Sequence, residues 1–232
     1  MLSKKLLPAI TLGLLLVNCF VIFEFDQDAS RWARLLSTGL LFIVLIWQGG
    51  LSAKIMSAFC LFICSDVLLF YYENPIASSV TFLMRISAYL LLAFVVVPEL
   101  KNLKSSLFQK IIFFIVFILN LGMLIMLVDM VPAKFVYPFL NILFYAYGIS
   151  MITLVIAAIS YSNRYSNTTS FYYTAATLCL VFSDITSFIA YYLEFYEFYF
   201  PDRIFYILGV AGLVKFATFA RSHEAVTELE SL

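Results

Sequence analysis

Charged residues are scarce in this chain. Only 12% of its 232 residues are Asp, Glu, Lys or Arg, whereas about 25% are charged in a typical soluble domain. The 14 basic and 14 acidic residues balance, and no basic block alternates with aromatic residues, so we expect no nucleic-acid partner. With 64% hydrophobic residues and a mean hydropathy of +1.01, the composition is that of a polytopic integral membrane protein.

Histidine and the common catalytic motifs are also scarce. The single histidine, His223, lies in the polar C-terminal segment, so the apolar segments offer no imidazole ligand for a catalytic zinc. No Gly-x-Ser-x-Gly, Walker or His-Glu-x-x-His motif is present. Four cysteines fall in apolar segments, where we expect them to pack as small hydrophobic residues: Cys19, Cys60, Cys64 and Cys179. The sequence therefore predicts neither a metal site nor another cofactor.

Long apolar segments make up most of the chain and predict an all-α bundle of eight transmembrane helices. Most are close to the roughly 20 residues that a helix needs to cross a membrane. Short polar turns separate them, which predicts one transmembrane domain over residues 1–220 and a short polar tail over 221–232. The predicted spans are 6–23, 31–47, 53–72, 76–97, 111–128, 135–161, 170–192 and 204–220.

The charges near the span ends predict the orientation of the chain. Lys and Arg in short loops are biased towards the cytoplasm. With the N-terminus inside, eight such side chains lie in inner segments and four in outer segments. We therefore expect both termini in the cytoplasm, in a multi-pass protein of the bacterial inner membrane. The four charges assigned to outer segments are Arg31, Arg34, Lys134 and Arg203.

Two of the predicted spans contain a Ser-Asp dipeptide far from their ends. Ser65-Asp66 lies in the third span and Ser183-Asp184 in the seventh, and this spacing is compatible with a four-plus-four internal repeat. A carboxylate inside the membrane costs about 2.5–3.5 kcal/mol on insertion scales, so each needs a structural or functional reason. Because both spans run in the same direction, we expect the carboxylates to converge on one site in the outer half of the membrane.

Two basic residues are expected at a comparable depth, Arg85 in the fourth span and Lys215 in the eighth. One interpretation is structural, with Asp66 paired to Arg85 and Asp184 paired to Lys215 as buried ion pairs. The other interpretation is a polar cavity between the helices, in which these charges serve a function. Hydroxyl groups that would line such a cavity are those of Ser65, Ser183, Tyr89 and Tyr206.

The sequence around these residues resembles the YhhN-like lysoplasmalogenase family of polytopic membrane proteins. The resemblance consists of short motifs at the second, third, fourth and seventh spans, and two positions depart from the family pattern. The similar segments are Arg31-Trp32-Ala33-Arg34, Ser65-Asp66-Val67-Leu68-Leu69, Phe82-Leu83 with Tyr89, and Val181-Phe182-Ser183-Asp184. The departures are Ile86 and Val210, where the family has His, and Gln or His, respectively.

The resemblance implies a hydrolase that cleaves the vinyl ether bond of lysoplasmalogens, releasing an aldehyde and a glycerophospho-base. This reaction begins with proton transfer to carbon, so the resemblance implies an acid/base pair of two carboxylates, Asp66 and Asp184. The implied partners are a lysolipid substrate and the surrounding membrane lipid. Residues expected to bind the substrate are Arg85, Lys215, Ser65, Ser183, Tyr89 and Tyr206. The alternative is a non-catalytic protein that binds lipid or transports a small molecule, with its paired charges holding the cavity open.

Overall fold

The structure is a computed structural model that describes residues 6–49, 52–100, 107–130 and 138–230. Its regular structure within these ranges is helical throughout, with eight α-helices and two short 3-10 turns. The helices are α1 (Leu6–Glu24), α2 (Gln27–Trp47), α3 (Ala53–Leu68), α4 (Pro75–Leu100), α5 (Leu107–Asp129), α6 (Pro138–Tyr165), α7 (Thr168–Tyr192) and α8 (Tyr199–Glu230). The 3-10 turns are Leu69–Tyr71 and Tyr196–Phe198. The predicted all-α fold is therefore confirmed.

Seven helices in the described part of the chain are long and apolar enough to cross a membrane. They are α1, α2, α3 with the 3-10 turn that follows it, α4, α6, α7 and α8, while α5 contributes a shorter apolar segment, Asn120–Asp129. Large apolar side chains cover the outer surface, such as Leu12, Leu16 and Phe20 of α1. Such a surface suits lipid better than water, and the architecture is compatible with a multi-pass integral membrane protein.

Helix α2 begins at Gln27, four residues before the predicted span. Asp26 caps the helix, because its side chain accepts a hydrogen bond from the Ala29 backbone N–H at 2.9 Å. The earlier start places Arg31 and Arg34 a full turn further into the helix than predicted. Arg34 is only 2% exposed, so it is a buried residue of the bundle and not a solvated charge at the end of the span.

Helix α8 also begins earlier than predicted, at Tyr199 instead of Ile204. A 3-10 turn leads directly into it, and Pro201 falls in the first helical turn, where its missing N–H costs no hydrogen bond. Asp202 and Arg203, expected before the helix, therefore lie within it and are 0% and 4% exposed. At its other end α8 continues through Glu230, so the described part of the polar tail is helical.

The most extensive helix contacts are those between α7 and α8, followed by α3 with α4 and α4 with α6. Two glycines permit the close approach of α8 to α7. A Cβ at Gly209 would lie 2.8 Å from Leu180 Cγ, and one at Gly212 would lie 2.9 Å from Ala176 Cβ. Small residues at such positions allow the backbones of membrane helices to pack closely.

The two ends of the bundle are held by different polar contacts. At one end, which we call the cavity end, Tyr72 beyond α3 and Tyr192 at the end of α7 share a hydrogen bond of 3.0 Å. At the opposite end, the Tyr165 hydroxyl of α6 donates to Glu99 Oε2 of α4 at 2.7 Å. Helices α2, α4 and α8 start at the cavity end, whereas α1, α3 and α7 finish there. Residues from all these helices can therefore converge at that end.

Candidate functional site

One face of α2 is polar even though it points into the bundle. Ser30, Arg34 and Thr38 recur every four residues, so they lie on the same side of the helix. All three are buried. Arg34 Nε donates to Asp66 Oδ1 of α3 at 2.9 Å, and its guanidinium carbon lies 3.7 Å from the centroid of the Tyr206 ring on α8. This face thus connects α2 to both α3 and α8.

Asp66 is fully enclosed by hydrogen-bond donors. Its Oδ1 accepts from Arg34 Nε at 2.9 Å and from Arg85 Nη2 at 3.3 Å. Its Oδ2 accepts from Thr38 Oγ1 at 2.7 Å and from the Tyr206 hydroxyl at 2.8 Å. A carboxylate offers about four lone-pair sites, so these donors satisfy its capacity while it is completely buried.

Arg85 of α4 joins the two Ser-Asp dipeptides. Its Nη1 donates to Asp184 Oδ1 at 2.7 Å, while its Nη2 reaches Asp66. Its Nε donates to Ser65 Oγ at 3.2 Å. The second oxygen of Asp184 accepts a hydrogen bond from the Tyr89 hydroxyl, one helical turn along α4. A single guanidinium therefore contacts both predicted aspartates.

A third carboxylate, Asp202 of α8, extends the network on the other side of Arg34. Asp202 Oδ2 lies 3.5 Å from Arg34 Nη1 and 2.8 Å from Arg203 Nη1. Its Oδ1 accepts from Ser183 Oγ at 2.6 Å. Arg203 in turn donates through Nη2 to Ser30 Oγ at 3.0 Å. The first turn of α8 is thereby tied to α2 and α7.

These contacts form one row of alternating charges, which we call the Asp/Arg row. Its order is Asp184, Arg85, Asp66, Arg34, Asp202 and Arg203. Three acids and three bases make the row neutral. Desolvating charges is expensive and is offset only when each has close partners and hydrogen bonds. Alternation meets this condition because every interior member contacts two opposite charges.

A cavity of about 540 Å³ lies beside the row at the cavity end of the bundle. It extends to the exposed residues Phe25, Asp26 and Glu197, so it is open to the surface. Much of its wall is aromatic, including Phe82, Phe144, Tyr147, Phe188 and Tyr192. The members of the row that reach the wall are Arg34, Arg85, Asp184, Asp202 and Arg203.

The cavity distinguishes the two aspartates of the predicted pair. Asp184 forms part of the wall, whereas Asp66 lies behind Arg34 and Arg85. The expectation that both carboxylates line one cavity was therefore wrong for Asp66. The reason is that four donors from α2, α4 and α8 surround it, and the pattern of a single helix does not reveal donors on its neighbours.

Two guanidinium nitrogens of the row are buried and have no hydrogen-bond partner among the described residues, Arg34 Nη2 and Arg203 Nε. Both side chains contribute to the cavity wall. Buried polar groups in proteins are nearly always hydrogen-bonded, so each exception calls for an explanation.

Most of the other predicted site residues belong to this network, and one does not. Ser65, Ser183, Tyr89 and Tyr206 each hydrogen-bond to a member of the row. Lys215 lies far along α8, with its Nζ 5.0 Å from the centroid of the Phe219 ring. The expected Asp184–Lys215 pair does not form, because Arg85 occupies that position beside Asp184.

Three members of the row were missed as site residues: Arg34, Asp202 and Arg203. Arg34 and Arg203 were counted only among the charges of the outer segments, and Asp202 was placed before the eighth span. A signal was present in α2, where Ser30, Arg34 and Thr38 follow the helical period. A similar signal links Asp202 to Tyr206, four residues apart on α8 and therefore on one face.

Within the described ranges, no three His, Cys, Asp or Glu side chains are grouped so that they could hold a metal ion. The four cysteines are free thiols, and Cys60 and Cys64 are exposed on the outer face of α3. What the residues offer is acid/base chemistry and hydrogen bonding by carboxylates, guanidiniums and phenols.

The fold and the site define a helical bundle with a neutral row of buried charges and an open, largely aromatic cavity at one end. No protein-family model, curated protein or solved structure matches this chain. The resemblance to the YhhN-like family therefore depends on the short motifs of the sequence alone.

Proposed function

We propose that this protein is a membrane-embedded hydrolase that cleaves the vinyl ether bond of lysoplasmalogen-type lysolipids. The observation that carries the proposal is the place of Asp184, whose carboxyl group lies at the wall of an open cavity next to aromatic side chains. An aromatic wall suits the apolar part of a lipid, and a few polar groups suffice to orient it. This arrangement provides one carboxyl group where the reacting carbon would lie.

The proposed reaction uses one water molecule. A proton that enters through the open cavity first converts the Asp184 carboxylate to its acid form. Asp184 then transfers this proton to the vinyl-ether carbon that does not carry the oxygen, and the oxygen-bearing carbon becomes an oxocarbenium ion. Water adds to that carbon while the Asp184 carboxylate accepts a proton from the water, which gives a hemiacetal. The hemiacetal then breaks its carbon–oxygen bond, with its hydroxyl proton passing to the departing oxygen. The products are an aldehyde and the glycerophospho-base, and Asp184 regains its acid form.

In this proposal the two predicted aspartates have different roles. Asp184 is the catalytic residue, and the carboxylate that forms when it gives up its proton is balanced by Arg85 at 2.7 Å. Asp66 is a positioning residue, because it holds the guanidiniums of both Arg34 and Arg85. Tyr89 directs Asp184 through its hydroxyl group. Lys215 has no part in this site because it lies towards the other end of α8.

We further propose that the chain crosses the membrane eight times with both termini in the cytoplasm. Helix α4 ends near the Tyr165–Glu99 contact, whereas α6 begins near the cavity, which Phe144 lines. Helix α5 connects these opposite ends, and its 23 residues would span about 35 Å. The charge asymmetry of the sequence supports the orientation. The four-plus-four repeat stays a prediction.

The second candidate function is binding or transport of a lipid or small molecule without chemistry. The observation that favours it is that each charge of the Asp/Arg row has an opposite charge beside it. A neutral set of ion pairs explains the buried charges without any reaction. The unpartnered nitrogens of Arg34 and Arg203 would then serve to bind an anionic or neutral acceptor.

The two functions are separated by measuring aldehyde release from a lysoplasmalogen, with the saturated-ether lysolipid as control. Hydrolysis requires aldehyde from the vinyl ether only, since the saturated ether has no carbon that accepts a proton. Asp184→Asn should lower the rate by about 10²–10⁴-fold, the usual contribution of general acid/base catalysis. Asp129→Asn, which alters an exposed carboxylate at the end of α5, should leave the rate unchanged. Wild-type protein that binds both lipids and releases no aldehyde would support the second function instead.

A further inference from the structure

A second cavity, of about 490 Å³, lies at the end of the bundle opposite the Asp/Arg row. It forms a groove between the first half of α1, the first half of α7 and the middle of α8. The wall is almost wholly apolar, with Leu12 and Leu15 from α1, Ala175 from α7 and Leu208 from α8. A groove of this composition, open on the outer surface of a membrane-type bundle, suits a hydrocarbon chain.

Among the residues that the structure describes, Lys215 is the one charged residue in the wall of this groove. It lies in the apolar part of α8, Tyr196–Ala220, and its ammonium group is 5.0 Å from the centroid of the Phe219 ring. Among the side chains that the structure describes, no carboxylate lies within ion-pair distance of it. The Asp/Arg row balances its own charges, so the positive charge of Lys215 is left without a counterion there.

We propose that this groove is a binding site for an anionic phospholipid, with an acyl chain along the apolar wall and the phosphate at Lys215. Charge complementarity selects this occupant, because an ammonium group in an apolar groove needs an anion and a membrane lipid supplies both the anion and the chain. Lys215 is five residues before the end of the span, or about 7.5 Å. This distance is short enough for a lysine side chain to extend to the headgroup region.

The position of this groove in the proposed orientation is consistent with an anionic lipid. Arg221 follows directly after the apolar part of α8 in the sequence and lies nearer to the span than the first acidic residue beyond it, Glu224. In the proposed orientation this end faces the cytoplasm, where anionic lipids attract basic residues near the membrane surface. The site is separate from the cavity at Asp184, and lipid binding here does not depend on hydrolysis.

Native mass spectrometry tests the site. The protein is reconstituted in phosphatidylcholine liposomes with and without phosphatidylglycerol, extracted in a mild detergent and weighed with its retained lipids. We expect the wild type to retain phosphatidylglycerol in preference to phosphatidylcholine, and Lys215→Gln to reduce this preference to parity. Lys54→Gln is the matched control, because Lys54 lies at the same end, outside the groove, and donates to the Phe94 carbonyl oxygen at 2.8 Å. Equal retention of both lipids by the wild type would overturn the proposal, and so would equal losses in the two variants.

A second variant tests the groove without changing charge. Ala175→Leu places a larger side chain in the wall, so retention of both lipids should fall in proportion to the space it fills. Undiminished phosphatidylglycerol on Ala175→Leu would show that the lipid binds elsewhere and would overturn the proposal. Because the measurement is a mass and not an aldehyde, its outcome is independent of the proposed hydrolase activity.

Discussion

Arg85 Nη1 lies 2.7 Å from Asp184 Oδ1, and this ion pair connects the cavity wall to the enclosed half of the Asp/Arg row. Arg85 reaches Asp66 with its other terminal nitrogen at 3.3 Å. Any change of position at Asp66 is therefore passed to Asp184 through one planar guanidinium, whose donors keep a fixed geometry.

The two aspartates should differ in their effect on stability. Asp66→Asn removes the charge that faces two arginines in a fully enclosed site, and breaking a buried pair typically costs about 3–5 kcal/mol. Asp184→Asn removes the charge that faces one arginine beside an open cavity, so we expect a smaller loss of stability. Thermal unfolding in detergent, followed by circular dichroism, measures both. A larger loss for Asp184→Asn than for Asp66→Asn would contradict this account of the row.

The end of the row provides a double-mutant test. Arg203→Gln leaves Asp202 with a single ion pair, the longer contact to Arg34, beside its hydrogen bond from Ser183. Asp202→Asn with Arg203→Gln removes a neutral pair and keeps the remaining row balanced. The double variant should therefore lose less free energy of unfolding than the two single variants lose together. The difference, the coupling energy, should be about 0.5–3 kcal/mol.

The control for this test is an ion pair with an exposed acid on the same helix as Arg34. Arg31 contacts Asp28 at 3.2 Å, and the Asp28 side chain is 69% exposed. Asp28→Asn leaves Arg31 its contact to Glu73 and should change the free energy of unfolding by no more than about 1 kcal/mol, the usual limit for a surface pair. If the losses in free energy of unfolding of Asp202→Asn and Arg203→Gln simply add in the double variant, the two side chains do not act as a pair.

Glycine substitutions test the packing of α8 on α7. Gly212→Ala brings a methyl group within 2.9 Å of Ala176 Cβ, so the helices must separate, and overpacking of this kind typically costs about 1–3 kcal/mol. Gly13→Ala on α1 meets no atom within 4 Å and should be neutral or slightly stabilising. Melting temperatures of the two variants in the same detergent measure the difference. Equal melting temperatures would show that α7 and α8 accommodate the added methyl group at Ala176 without loss of stability.

Reporter fusions test the topology. Fusions after Leu232 and in the short linker between α6 and α7, Ser166-Asn167, should both report the cytoplasm, since the ends of α6 and α8 lie at the same end of the bundle. A fusion in the turn between α1 and α2 should report the opposite side. Reporters at Leu232 and in the linker on opposite sides of the membrane would exclude the proposed orientation.

The sequence was sufficient for the class of fold and for half of the row. Apolar segments of membrane length predicted the helices, and the rarity of charge within them identified Asp66, Arg85 and Asp184. It was insufficient near the helix ends, because charged residues there are usually solvated. Arg34 and Asp202 were overlooked for that reason.

Which charges pair with one another in the Asp/Arg row could not be predicted from the sequence either. A buried charge requires an opposite charge, but its depth alone does not say which one. One interpretation of the sequence paired Asp184 with Lys215, because both charges were expected at a comparable depth. The structure pairs it with Arg85 of α4, because helix order in space, and not in sequence, decides which faces meet.

The alternating charges have a consequence for how the protein is made. Helices leave the ribosome in order, and a nascent chain ending before α7 holds Arg34, Asp66 and Arg85 without Asp184, Asp202 or Arg203. Such an intermediate carries a net positive charge among helices already released into the bilayer. Only the last two helices bring it to neutrality. A truncated chain that lacks α7 and α8 therefore differs from a finished one in the net charge of its interior.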